Sequence, residues 1–315
     1  MRLFWLTAAV IFAQPGSTIR VPVRLVNVPT LVFSKDGQLI PGLQASNFRV
    51  YDNGRLQKVA LETMSAPVSV AVAVQVNSDV RSYIPFIAKA GSVIEALLAG
   101  ESGETAVIAY NDDVTIIKSF DNLKRIPTSG RQARMIDAGL RAVTVLKERP
   151  GSRGRILLFI GQPIDTGSEA TLASLKEAAE RANVTIYALT LPQFGKAFVS
   201  DTVKLSGVSA QEKGGFKAGV DLGRLIEALG RNSKAEEAAD PFSILTAATG
   251  GTQIHFRKQR ELESAIATIG VELRSGYLLS YYPGSIEPGY HAIDIEVDIP
   301  GAKTHSRPGY FNASE

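Results

Sequence analysis

The chain has no cysteine, three histidines and one tryptophan in 315 residues. The first absence excludes disulfides, thiolate metal sites and a cysteine nucleophile. Histidine is nearly as scarce. His255, His291 and His305 fall on expected strands or turns, with no carboxylate at helical spacing, and read as structural or surface residues. Beyond the amino terminus no apolar run approaches the roughly 18 residues that a membrane-crossing helix needs, so no span is expected in the mature chain. Nor is there a run of five like charges. The net charge of +3 comes from 34 basic and 31 acidic residues that are interspersed, and no nucleic-acid partner is expected. The turn after Val74 holds no glycine, and Gly151-Ser152-Arg153-Gly154 precedes a strand where a phosphate-binding loop would follow one. A Gly-x-Ser-x-Gly nucleophile elbow is also missing. These absences point away from an enzyme.

What is present describes a folded chain: 45% apolar and 21% charged residues, over a length sufficient for one large or two ordinary cores. Residues 1–13 join a single arginine to the apolar run Leu3 to Phe12 and a small residue, Ala13, before Gln14-Pro15-Gly16. That is the pattern of an export signal, with the product expected in the periplasm, on the cell surface or in the medium. The absence of cysteine does not oppose export, because a chain of this size can rely on its core.

The organising stretch is Pro67 to Asp79. Val68, Val70, Ala71, Val72, Ala73 and Val74 are apolar on both faces, the mark of a central parallel strand, and the polar run Gln75-Val76-Asn77-Ser78-Asp79 follows at its carboxyl end. Ligands of doubly wound sheets sit outside that end. Helical spacing recurs over Tyr83 to Leu98, Met135 to Leu146, Glu169 to Ala182, Pro241 to Thr249 and Gln259 to Arg274. Between these lie strand patterns at Glu104 to Tyr110, Val114 to Lys118, Ile156 to Ile160, Val184 to Leu191 and Thr252 to Phe256. Gln193 to Asp240 breaks the rhythm and carries only one helical pattern, Leu222 to Leu229.

Both ends of the chain are β-patterned. Ile19 to Phe33, Leu39 to Leu43, Asn47 to Tyr51 and Gln57 to Met64 precede the α/β region, and Tyr277 to Tyr282, His291 to Ile299 and Lys303 to Phe311 follow it. The expected fold class is therefore α/β, a doubly wound, mainly parallel sheet with a small β-domain formed by the terminal segments as a sandwich. Two separate β appendages are the alternative. The expected division is 17–66 and 275–313 for the β segments, and 67–274 for the α/β domain with an insertion at 192–240.

The stretches Leu43 to Gln57, Pro67 to Val72, Thr249-Gly250-Gly251-Thr252 and Glu272 to Pro283 resemble von Willebrand factor type A-related proteins of the secreted bacterial kind. The resemblance covers residues 19 to 311. It implies a von Willebrand A fold, a role in binding proteins or extracellular-matrix-like partners, and often a metal-ion-dependent adhesion site. In the family pattern that site uses Asp-x-Ser-x-Ser after the first strand, a threonine before a helix and an aspartate after the fourth strand. Here those positions fall on Gln75, Asn77 and Asp79, on Ala133 when Asp137-Ala138 is the anchor, and on Gln162. Neutral amides are poor ligands for a hard cation. The expectation is a degenerate site with no cofactor. A rearranged site for Mg²⁺ or another divalent ion, using Asp79, Asp165 and the side-chain carbonyls of Gln75 and Asn77, is the alternative, as is coordination completed by a partner or the insertion. The partner surface is expected at Asn77, Ser78, Asp79, Arg81, Tyr83 and Asp165. Three functions follow: a non-enzymatic protein-binding or adhesion module, a structural or assembly scaffold, and a metal-dependent adhesin with rearranged ligands.

Overall fold

Four short strands open the described chain: β1 (Val26–Phe33), β2 (Phe48–Asp52), β3 (Arg55–Gln57) and β4 (Ala60–Thr63). The structure, a computed structural model, describes residues 25–63, 67–150, 153–192, 240–285 and 287–312. The export signal at 1–13 and the helix expected at Leu222 to Leu229 lie outside the described residues. Along β1, Val26, Val28, Thr30 and Val32 turn inward on one parity. Asn53 and Gly54, both in the left-handed region at φ 48° and 76°, make the tight turn between β2 and β3. Two expectations fail here. Leu39 to Leu43 contributes only the isolated bridge of Leu39 to Phe33, because Pro41 lacks an N–H and Gly42 turns left-handed at φ 80°. Gln57 to Met64 is no single strand: β3 pairs with β2, while β4 joins a different sheet.

The α/β layer follows in order as β5 (Val68–Gln75), α1 (Ile84–Ile94), β6 (Glu104–Tyr110), β7 (Val114–Ile117), α2 (Met135–Lys147), β8 (Gly154–Gly161), α3 (Leu172–Ala182), β9 (Val184–Thr190), α4 (Pro241–Thr249), β10 (Gln253–His255) and α5 (Gln259–Ser275). Its strands lie in the order β10-β9-β8-β5-β6-β7, parallel throughout except for β7, which runs antiparallel to β6 at one border. The strand read as central is central, between β6 and β8. Side chains alternate in size along it. Val70, Val72 and Val74 pack with Ile87 of α1 and Ile266 and Ile269 of α5. Ala71 and Ala73 face Met135, Leu175, Phe242 and Leu245 of α2, α3 and α4. Small residues on the second face let α2 approach closely. At Gly139 an added Cβ would lie 2.5 Å from Leu175. Each fully buried valine contributes roughly 1.5–3 kcal/mol, so a strand buried on both faces anchors the layer.

The tail adds β11 (Tyr277–Tyr281), β12 (Gly289–Val297), β13 (Lys303–Ser306) and β14 (Gly309–Asn312). With β1 to β4 they form two antiparallel sheets, in the orders β13-β1-β11-β4 and β14-β12-β2-β3. Each sheet takes strands from both ends of the chain, and the two share one apolar cluster in which Val28, Val32 and Leu279 meet Val50, Ile295 and Tyr310. The single strand expected from Lys303 to Phe311 is divided at Arg307-Pro308, where proline cannot donate to a ladder, and its halves enter different sheets. That division sets β14 against α3. The Arg307 guanidinium donates to the Asn183 side-chain carbonyl, and Arg181 lies 5.2 Å from the centre of the Phe311 ring.

Candidate functional site

The carboxyl end of β5 carries the polar run singled out from the sequence. Gln75 and Asn77 are each 1% exposed and Gln162, beyond the end of neighbouring β8, is 4% exposed. Parallel pairing of β5 with β8 sets Val74 beside Ile160, so the two glutamines emerge side by side. They close on one another. The Gln162 N–H donates to Gln75 Oε1 at 2.7 Å, which fixes that atom as the oxygen and leaves Nε2 as the donor. Gln75 Nε2 in turn donates to Asn77 Oδ1 at 3.0 Å and to Gln162 Oε1 at 3.3 Å. Asn77 Oδ1 also accepts the Asp79 N–H at 3.2 Å, capping the short helical turn Ser78–Tyr83. Its Nδ2 donates to the carbonyls of Arg131 and Gln132, each at 3.3 Å. Gln162 Nε2 donates to the Pro192 carbonyl at 3.1 Å.

The remaining expected positions distribute differently. Ala133 stands beside this cluster, and a threonine hydroxyl does reach it, but from the next loop: the Ala133 N–H donates to Thr166 Oγ1 at 2.9 Å. Asp165 is consumed within the fold. Its carboxylate accepts the Ile136 N–H at the start of α2 at 2.8 Å, the Ser168 hydroxyl at 2.6 Å and the Ser168 N–H at 3.1 Å. Tyr83, expected at the partner surface, is buried, with its ring 5.2 Å from that of Phe86 and 6.5 Å from that of Phe256. The apolar cluster that holds Ile84, Ile87 and Phe256 takes it in. Asp79 and Arg81 are exposed, and Ser78 half-buried. The Ser78 hydroxyl donates to Asp79 Oδ1 at 3.3 Å, and Arg81 donates through Nε to Thr128 Oγ1 at 2.7 Å.

Sequence reasoning missed two groups of contributors. Asp137 accepts the N–H groups of Glu169 and Ala170 and pairs with Arg134 at 2.7 Å, locking the 165–170 loop to α2. Burial opposes its charge, but those N–H donors and the Arg134 guanidinium hold its carboxyl below the usual range. Tyr110, at the end of β6, is fully buried below the amides, and its hydroxyl has no hydrogen-bond partner among the described residues. Burial, with the nearby charge of Asp165, pushes that phenol far above its ordinary range. Gly161 leaves it room, since a Cβ there would lie 2.5 Å from the Tyr110 oxygen and 2.9 Å from Gln75 Cβ. A glycine ending an otherwise apolar strand was the available signal.

A hard divalent cation requires several oxygens aimed at one point, at least some of them anionic. These residues do not fit it. Each of the three amide oxygens already accepts an N–H, and the group at the centre is the Gln75 NH₂, itself a donor. No group of three or more Asp, Glu or His side chains suited to a metal occurs among the described residues. Chemically the arrangement can hold loops rigidly.

No protein-family profile matches the sequence, and no curated protein matches it. Solved structures do. The conserved hypothetical protein BatB from Bacteroides thetaiotaomicron is similar at 10% identity and a TM-score of 0.41, over 65% of this chain and 98% of that one. A von Willebrand factor type A protein from Catenulispora acidiphila is similar at 9% identity and a TM-score of 0.47, over 93% of this chain and 64% of that one. The pilus adhesin SpaC from Lactobacillus rhamnosus GG is similar at 7% identity and a TM-score of 0.44, over 88% of this chain and 43% of that one. The fold itself is α/β, a mainly parallel six-stranded sheet with two antiparallel sheets built from the chain ends. Likeness at this level carries no function with it.

Proposed function

We propose that the chain is an exported, non-enzymatic protein-interaction module whose apex works without a metal ion. The observation that carries this reading is the closed amide network of Gln75, Asn77 and Gln162, in which a side-chain NH₂ donates to two of the oxygens that would otherwise turn to a cation. Two carboxylates replaced by amides remove the charge that would draw a divalent ion out of water. Partner contact then falls to the exposed groups of the rim, Asp79 and Arg81, through hydrogen bonds and charge pairing. Two measurements test it. Melting of the full chain is expected at the same temperature in millimolar Mg²⁺, Mn²⁺ or Ca²⁺ as in chelator, whereas an ion supplied at one hundred times its dissociation constant would add about 2.7 kcal/mol. Arg81→Glu is expected to weaken capture of a protein partner from the native source without moving the melt.

One observation favours a second reading, assembly through the β sheets. Among the described residues the most exposed large apolar side chains are Leu56, on the border strand β3, and Tyr282, just past β11, each 63% exposed. The Gly284 N–H donates to Gln57 Oε1 at 3.2 Å, which brings the two segments together. If Leu56→Lys abolishes partner capture while Arg81→Glu leaves it intact, the scaffold reading replaces the first.

A further inference from the structure

Opposite the apex, where β5, β8 and β9 begin, a cavity of about 120 Å³ lies between the α/β layer and the sheet that holds β1 and β11. Its charged lining is unequally satisfied. The guanidinium groups are directed elsewhere: Arg155 donates to the carbonyls of Ala182 and Arg149, Arg153 to the Ser102 carbonyl, and Arg307 to Asn183. The carboxyls are not. Glu272, 5% exposed, receives one hydrogen bond, from Thr252 Oγ1 at 3.3 Å, and has no ion pair among the described residues. Glu180, 7% exposed, has neither a hydrogen bond to its carboxyl nor an ion pair among the described residues, with Lys176 and Arg307 acting on it only from a distance. A buried carboxylate without a cation must take a proton or a counter-ion.

We infer that this cavity binds a small organic ammonium ion, a short primary alkylamine, with Glu272 as its counter-ion and Glu180 as the second carboxyl facing it. A water takes about 30 Å³ in the liquid, so the room is on the order of four waters, about the size of a four-carbon amine. The alkyl part meets Val184 and Leu278, which line the same space. An inorganic divalent ion is the poorer fit, because no three carboxylates or imidazoles converge among the described residues. Burial raises the Glu272 carboxyl to about 7, so its charge is available at slightly alkaline pH. Alkylammonium stays protonated there.

The full chain is melted at pH 8 with butylamine, with potassium chloride at equal ionic strength, and with butyrate. The expected result is a concentration-dependent rise with butylamine alone. Glu272→Gln is expected to melt higher than the parent without ligand and to lose the response. A rise equal in potassium chloride assigns the cavity to an inorganic cation and overturns the proposal, as does no rise at all, which leaves a buried acid over water. Calorimetric titration of the unaltered chain serves if the variant does not fold. Ionisation of a carboxyl near 7 makes butylamine binding about tenfold tighter at pH 8 than at pH 6, and equal affinity at both overturns it. None of these outcomes depends on the apex.

Discussion

Gln75 shows how a single side chain can close a polar network. Its oxygen is held by the Gln162 N–H and its NH₂ faces two further oxygens, so donor and acceptor roles are all filled inside the cluster. Gln75→Leu keeps the volume and removes the bonds. An orphaned Gln162 N–H alone costs roughly 1–3 kcal/mol, and urea unfolding should register that loss with an unchanged slope. An unaltered midpoint would show that the network contributes nothing. That Gln75 and Asn77 come at the carboxyl end of a central strand was legible in the sequence. The network they close with Gln162 was not, because it depends on the register of β5 against β8. Tyr83 and Asp165 were misplaced for the same kind of reason. A tyrosine beside a polar run and an aspartate in a loop look exposed until Phe256 and the start of α2, both distant in sequence, are packed against them.

At the level of elements, legibility followed how locally each boundary was encoded. The helix α4 was read to the residue, since its cap, its first proline and its Gly250-Gly251 stop are consecutive letters. Asp240 Oδ1 accepts the N–H groups of Phe242 at 2.9 Å and Ser243 at 3.0 Å, and the same carboxylate receives Gln253 Nε2 from the border strand β10. Asp240→Ala should therefore lower stability by about 1 kcal/mol through the cap, and by more if the Gln253 contact counts. Asp240→Asn, which keeps an oxygen in place, should recover most of it in the same melt. Strand identity was less accessible. Hydrophobic alternation marks Gln57 to Met64 and Lys303 to Phe311 as extended, but β4 and β13 are drawn into the other sheet by partners more than two hundred residues away, Tyr277 beside Thr63 and Thr30 beside Ser306.

At the scale of the molecule, one buried charge site ties both chain ends together. His291 on β12, its side chain 2% exposed, sends Nδ1 to Asp52 Oδ1 of β2 at 2.8 Å and Nε2 to the Glu287 carbonyl at 2.8 Å. A carbonyl can only accept, so Nε2 carries a proton. The carboxylate on the other side favours a second, and with both the ring is an imidazolium. Tyr281 of β11 and Tyr310 of β14 donate to Asp52 Oδ2 at 3.0 and 2.8 Å, Tyr310 stacks on the imidazole at 4.9 Å, and Arg307 lies 5.7 Å from the Tyr310 ring. Burial works against the charge, but the Glu287 carbonyl and Asp52 outweigh it and raise the histidine above its ordinary value. A raised value in the fold means stability that is complete below the unfolded-chain value, about 6.5, and is lost as pH climbs through the higher folded one. Glu272 loses stability in the same direction at lower pH, between its ordinary range and about 7, so the chain's own pH profile mixes the two. Subtraction separates them. The melting-temperature advantage of the parent chain over His291→Gln should be greatest at pH 6 and should shrink steadily toward pH 9, while the profile of Glu272→Gln keeps that alkaline decline. An advantage independent of pH would show that His291 is held neutral and that the pair is a hydrogen bond alone.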